Sequence, residues 1–173
     1  GLPLSQQDFE KFDVVILGDI GQDEFTSAQL ADLRAWVDAG GGLMVTGGYN
    51  AFGAGGYDET LLAEVLPVTM GGEADGHVEE PFVPELTEAG RDHLIFRGTE
   101  EFFTGGDAPG KLDGANRVTG LKQGAEALAV HPTEQAGGQP LPVLAVQRYG
   151  GGRVIAFTGD TTWKWRFRMA ARG

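Results

Sequence analysis

Side chains able to attack a bond or carry a proton are scarce in this sequence, and their scarcity limits its chemistry more than any motif directs it. Cysteine is absent, which removes thiolate catalysis, thiolate metal sites and disulfides together. Ser5 lies near the start and Ser27 at a helix cap, and neither stands in the G-x-S-x-G turn of a serine hydrolase. His77, His93 and His131 are scattered, without the H-E-x-x-H spacing that puts two imidazoles on one helix face, so no metal site is expected. Carboxylates remain. Asp19 closes one apolar run and Asp160 follows another, so both are expected at one sheet edge, where a pair of acids could activate water.

The stretch placed to carry chemistry is Gly40 to Tyr57, GGGLMVTGGYNAFGAGGY. Leu43 to Thr46 reads as a short buried strand, and Gly47-Gly48-Tyr49 turns sharply out of it. That is the outline of a nucleophile elbow, but its tip carries no reactive side chain. The glycines match neither G-x-x-x-x-G-K-[ST] nor a G-x-G-x-x-G run with its acidic partner, so a structural loop is favoured over a phosphate cradle and no cofactor is expected.

The elements around this loop read in order. Phe12 to Ile20, FDVVILGDI, is a nearly continuous apolar run, as expected of a central parallel strand covered on both faces. Thr26 to Ala39 predicts a helix: Thr26 and Gln29 fit a capping box, Leu30, Leu33, Trp36 and Val37 recur at helical spacing, and Gly40 stops it. Strand, helix and strand with short joints make a right-handed βαβ unit. A second helix is expected from Asp58 until Pro67, and Thr69 to Gly124 is a long excursion with a strand at His77 to Val83 and a short segment at His93 to Phe96. Ala125 to His131 predicts a strand. Leu141 to Tyr149 and Arg153 to Phe157, joined through Gly150-Gly151-Gly152, predict an antiparallel hairpin. The ending clusters Trp163, Trp165 and Phe167 among Lys164, Arg166, Arg168 and Arg172, which reads as a capping segment or an interface.

Length and composition fit one globular domain: 173 residues, 41% hydrophobic and 22% charged. A formal charge of −12 argues against nucleic acid and anionic membrane as partners, because both would repel the chain before any contact formed. No apolar run approaches the roughly 20 residues of a membrane span, so insertion of this segment is not expected.

FDVVILGDI, AWVDAGGGLMVTGGYNAFGAGGYDETLLAEVLPV and RYGGGRVIAFTGDTTWKWR together resemble the glutamine amidotransferase-like family. The resemblance implies a class I glutamine amidotransferase-like domain over residues 1–173: an α/β, flavodoxin-like three-layer sandwich with a central, mostly parallel sheet and a C-terminal antiparallel hairpin. Members usually carry a further strand and helix before the segment resembling Phe12 to Ile20, so truncation at the N-terminal strand and at the C-terminus is expected. Active members place cysteine in a G-x-C-x-G elbow and histidine in an F-H-P-E-like motif. Here Gly47, or Gly48 if the turn is shifted, falls at the cysteine position, and Phe157-Thr158-Gly159-Asp160 puts Thr158 at the histidine position.

The resemblance therefore implies a catalytically silent domain. Its ligand-binding candidates are Asp19, Tyr49, Asn50 and Asp160, and its partners are an unidentified small ligand or other domains of a larger bacterial protein, cytoplasmic or membrane-anchored. The alternative is a hydrolase of a sugar or amide using Asp19 and Asp160. A third reading is architectural, with the basic aromatic ending docked on another domain or a second copy.

Overall fold

The computed structural model describes residues 5–71, 76–105 and 108–171. A short helix α1 (Gln6–Phe9) leads into β1 (Val14–Gly18), α2 (Ser27–Asp38) and β2 (Gly42–Thr46), which form the expected βαβ unit with β1 and β2 parallel. Local chemistry fixes the ends of α2. Thr26 Oγ1 accepts the Gln29 amide at 3.2 Å, and Gln29 Oε1 accepts the Thr26 amide at 2.9 Å, so two otherwise orphaned donors are satisfied. Leu30, Leu33, Trp36 and Val37 are buried against the sheet, each contributing about 1.5–3 kcal/mol. Gly41 sits so close under Trp36 that a Cβ there would lie 2.5 Å from the indole ring.

A single turn, α3 (Leu62–Val65), stands where the second helix was expected, before the pairs β3 (Val68–Thr69) and β4 (His77–Val78). The excursion then gives β5 (Glu85–Leu86), α4 (Glu88–Asp92), β6 (Ala115–Asn116) and β7 (Gly120–Leu121), and closes the small ladders β3–β7 and β4–β6. Three strands, β8 (Glu126–Ala136), β9 (Gln139–Tyr149) and β10 (Gly152–Phe157), and helix α5 (Trp163–Ala170) complete the chain.

The six-stranded sheet runs β1-β2-β10-β9-β8-β5. Only β1–β2 and β2–β10 are parallel, whereas β10–β9, β9–β8 and β8–β5 are antiparallel. The expected flavodoxin-like sandwich with a mostly parallel sheet is thus incorrect: the sheet is mostly antiparallel, in a mixed α/β fold with few helices. Among the described residues the excursion supplies no strand–helix crossover to extend the parallel part, and the end of the chain folds back on itself instead.

β1 is likewise an edge strand, not a central one. Its inward residue Leu17 is buried, but Val14 and Ile16 on the opposite face are 56% and 62% exposed. On the α2 side the core joins Phe9, α2 and α3 to Leu43, Val45, Val154 and Ala156. On the other side a second core of Phe82, Leu112, Val143 and Phe157 has Trp165, Met44 and Leu144 packed against it, and a third joins Phe96 to Leu128 and Ala129 of β8.

β8 and β9, 11 residues each, make a hairpin interrupted near its turn. Val130 pairs with Pro142 and Gln135 with Pro140, so four residues of β8 bulge opposite Leu141. The buried His131 ring organises this bulge, its Nδ1 accepting the amides of Thr133 at 3.2 Å and Glu134 at 3.0 Å. An accepting Nδ1 places the proton of the neutral ring on Nε2. Burial holds the His131 pKa below its ordinary 6.5, with Arg117 lowering it further and Glu134 and Glu80 opposing.

The unfolded chain therefore binds the His131 proton first as the pH falls. The stabilisation from this ring is complete above about 6.5 and is lost as the pH drops below that value. Thermal unfolding followed between pH 7.5 and 5 is expected to show a falling midpoint, and the fall is smaller in His131→Asn. An equal fall in that variant would contradict the role assigned to the ring.

Candidate functional site

β1, β2 and β10 point the same way, so their carboxyl ends share one edge, where Asp19, Gly47-Gly48 and Thr158 to Asp160 emerge side by side. Among the described residues three non-glycine residues adopt positive φ, namely Asp19 (45°), Phe52 (55°) and Thr161 (66°), and all three lie in the loops of this edge. Each such conformation costs on the order of 1–3 kcal/mol and persists only where the surroundings impose it.

The turn after β2 is packed to the backbone. Gly47 donates its amide to Phe157 O at 2.7 Å, and a Cβ on it would stand 2.1 Å from the Thr158 carbonyl oxygen. A Cβ on Gly48 would stand 2.2 Å from Cγ of Asp19. Neither position has room for a side chain of any kind. Thr158 is fully buried, its hydroxyl donating to Pro142 O at 2.9 Å and its amide to Val143 O at 2.8 Å, so it braces β9 and faces no substrate.

Asn116, from the middle of the excursion, holds the loop in this shape. Its Oδ1 accepts the Gly48 amide at 2.9 Å, and its Nδ2 donates to Gly48 O at 2.8 Å and to Ala51 O at 3.2 Å. Its own amide donates to Thr158 O at 2.9 Å, so one fully buried residue joins the loop to the exit of β10. At the far end of the loop the buried Tyr57 hydroxyl donates to Ile20 O at 2.7 Å, and burial pushes its pKa up.

The expected binding residues gather here only in part. Asp19, Tyr49 and Asn50 form one group: Asp19 Oδ1 accepts the Asn50 amide at 2.7 Å, and Tyr49 stands 64% exposed beside it in sequence. Asp160 belongs to another, because its amide donates to Gly114 O at 3.0 Å and its carboxylate accepts the Thr161 amide. The β2 exit separates the two groups, with the β1 and β10 backbones about 10 Å apart. Neither acid lines the cavity at Met44 and Leu144 or the clefts at Pro81 to Glu85, at Gln22 and Leu30, and at Val14 and Gly42.

One histidine does reach the loop. His77 stacks on Tyr49 with ring centroids 4.9 Å apart and planes 26° from parallel, and neither of its buried ring nitrogens has a hydrogen-bond partner among the described residues. The rings meet face to face, so the tyrosine hydroxyl makes no direct hydrogen bond to the imidazole. His77 arrives because it pairs with Asn116 across β4–β6. A lone asparagine and a lone histidine 39 positions apart give no local signal of that partnership. Among the described residues no cluster of three or more His, Cys, Asp or Glu side chains is placed to hold a metal ion.

The ending folds as a cap over the second face. Trp165 packs on Phe157 and donates Nε1 to Lys111 O at 3.1 Å, and Lys164 and Arg168 both pair with Asp113, lowering that carboxyl's pKa. Arg172 lies outside the described residues.

Asn116→Ala is expected to cost about 2–4 kcal/mol in urea unfolding, since it strands buried partners on both sides of the loop. Gly47→Ala is expected to cost at least as much, because the obstructing atom is backbone. Values within about 0.5 kcal/mol of the parent for both would refute the tight packing described.

Comparison with known proteins agrees with this geometry. The profile of the family described as "Putative glutamine amidotransferase" matches residues 1–169. No curated protein matches the sequence. Among solved structures, the fold is similar to cytoplasmic protein STM3548 of Salmonella typhimurium, with 24% identity and a TM-score of 0.73, covering 92% of this chain and 65% of that one. Cytoplasmic protein STM1381 of Salmonella typhimurium LT2 gives 26% identity, a TM-score of 0.73 and the same coverages. The chain thus spans somewhat less than two thirds of either protein. An exo-beta-1,4-mannosidase from Opitutaceae bacterium strain TAV5 is similar at 16% identity and a TM-score of 0.51, over 94% of this chain and 23% of that one. With a profile match across nearly its whole length and this arrangement of β1, β2 and β10, the chain belongs to the glutamine amidotransferase-like family.

Proposed function

We propose that the chain is a catalytically silent amidotransferase-like module of a larger bacterial protein, binding a small ligand or a neighbouring domain at the carboxyl edge of β1, β2 and β10. The observation that carries the reading is the closed elbow. Covalent glutamine chemistry needs a nucleophile at the turn and a base beside it, yet the turn positions are Gly47 and Gly48, each without space for a Cβ, and Thr158 spends its hydroxyl on Pro142 O. The loss is therefore more than two substitutions, since backbone and a carboxylate occupy the volume where reacting groups would stand.

Two further observations support a binding role. Strained backbone persists at Asp19, Phe52 and Thr161, all at the one edge, as at sites whose shape is held for recognition. The similar fold in the mannosidase accounts for under a quarter of that longer polypeptide, which supports reading this fold as a module. The carboxylates of Asp19 and Asp160 each accept a nearby backbone amide, an arrangement that favours turn capping over activation of water.

With glutamine as substrate and ammonia release as the readout, the purified chain is expected to match the buffer blank. Gly48→Cys is expected to stay at the blank too, because the new side chain meets Asp19. Ammonia release by the unaltered chain that disappears in His77→Ala would overturn the reading.

A further inference from the structure

A second candidate site opens beside that edge, on one face of the sheet. On the face of the sheet opposite α2 there is a cavity of about 480 Å3, floored by Met44 and Leu144 and walled by Phe96, Phe103 and Trp165. Asp19, Tyr49, Asn50 and Asp160 do not line it, although Thr46, Phe157 and Thr162 of the β2 and β10 exits do.

Its walls are preformed. Phe96 and Phe103 meet edge to face at 5.4 Å and 84°, and Phe102 and Trp165 at 5.0 Å and 83°. Trp165 is fixed at its other end by the bond to Lys111 O, and α5, which carries it, is anchored to Asp113 by Arg168 at 3.0 Å. Rings locked in this way cannot slide inward to fill the space, so the volume stays open to a guest. It falls within the roughly 300–1,000 Å3 of small-molecule sites.

The lining selects the guest. Among the described residues no charged side chain borders the cavity, and an ion entering would lose its hydration without a counter-charge from them. Anions are disfavoured further by the net charge of −12. Aromatic walls suit a planar aromatic guest, which can take the same edge-to-face contacts the walls make with one another. Polar groups at the margin are threonine hydroxyls, of which Thr99 donates to Phe96 O at 2.7 Å and so presents its oxygen as an acceptor. We infer that this cavity binds an uncharged aromatic small molecule carrying one hydrogen-bond donor.

Titration of the chain with 2-naphthol, followed by calorimetry, is expected to show saturable one-to-one binding with a Kd of about 0.1–1 mM, the range that ligand efficiency allows for so small a compound. The anionic 2-naphthoate, equal in ring shape, is expected to bind at least about tenfold more weakly. Thr99→Phe from the margin and Ala129→Leu from the floor are each expected to weaken 2-naphthol by about tenfold or more. Ile16→Ser, on the bare face of β1, is expected to leave it unchanged. Nuclear Overhauser contacts from naphthol to the Met44 and Thr99 methyl groups in the unaltered chain locate the guest however the variants fold. Absence of saturation, equal affinity for naphthoate, or contacts to Val14 and Ile16 in place of Met44 and Thr99 would each overturn the inference.

Discussion

The carboxamide of Asn116 is the constraint on which the candidate edge depends. An amide side chain offers donor and acceptor from one rigid group, and here both are used on the same loop while the backbone of the same residue holds the exit of β10. Burial makes the arrangement all-or-none: every polar atom in it is away from water, so losing one partner leaves the others unsatisfied. The closeness of Gly47 to Thr158, the approach of Asp19 to Gly48 and the position of His77 against Tyr49 all follow from that clamp. A segment that looks irregular in sequence thus sets the shape of the loop the sequence makes most conspicuous.

The sheet has two unlike halves, and the difference is topological. The β1–α2–β2 half uses a crossover, so a helix necessarily covers one face. The β8–β9–β10 half is built from hairpins, which bring no helix with them, and its second face is covered instead by aromatic residues of the excursion and by Trp165. Between these two solutions β1 keeps a bare face at Val14 and Ile16. The aromatic cavity lies where the covering rings of the excursion and α5 span the sheet without filling the space above Met44 and Leu144.

What the sequence revealed follows the range of its signals. The capping box at Thr26 and Gln29, the apolar spacing of α2 and the glycine turn between β9 and β10 act over a few residues, and each was legible. β8 and β9 were legible only in part, because Pro132, Pro140 and Pro142 fall within them and proline usually marks a strand's end. The bulge at His131 accommodates them, and Gly137-Gly138, with φ of 58° and 77°, supplies the two-residue turn that could have revealed the hairpin. The run FDVVILGDI misled about position, since an apolar strand left bare on one face has the same composition as one buried on both. The glycines of the turn were legible directly. That no space remains beside them depends on contacts across more than a hundred residues, which no local pattern records.

The squeeze between Gly47 and Thr158 also bears on how such a protein can change over generations. A single codon can write cysteine at that position, but the carbonyl blocking it belongs to the main chain, and a point mutation elsewhere cannot delete it. A lineage carrying this arrangement would have to shift a whole strand exit before a new side chain there could be tolerated, and the intermediates would be poorly folded. The bend itself is therefore slow to gain a side chain, while the residues around it are free to vary.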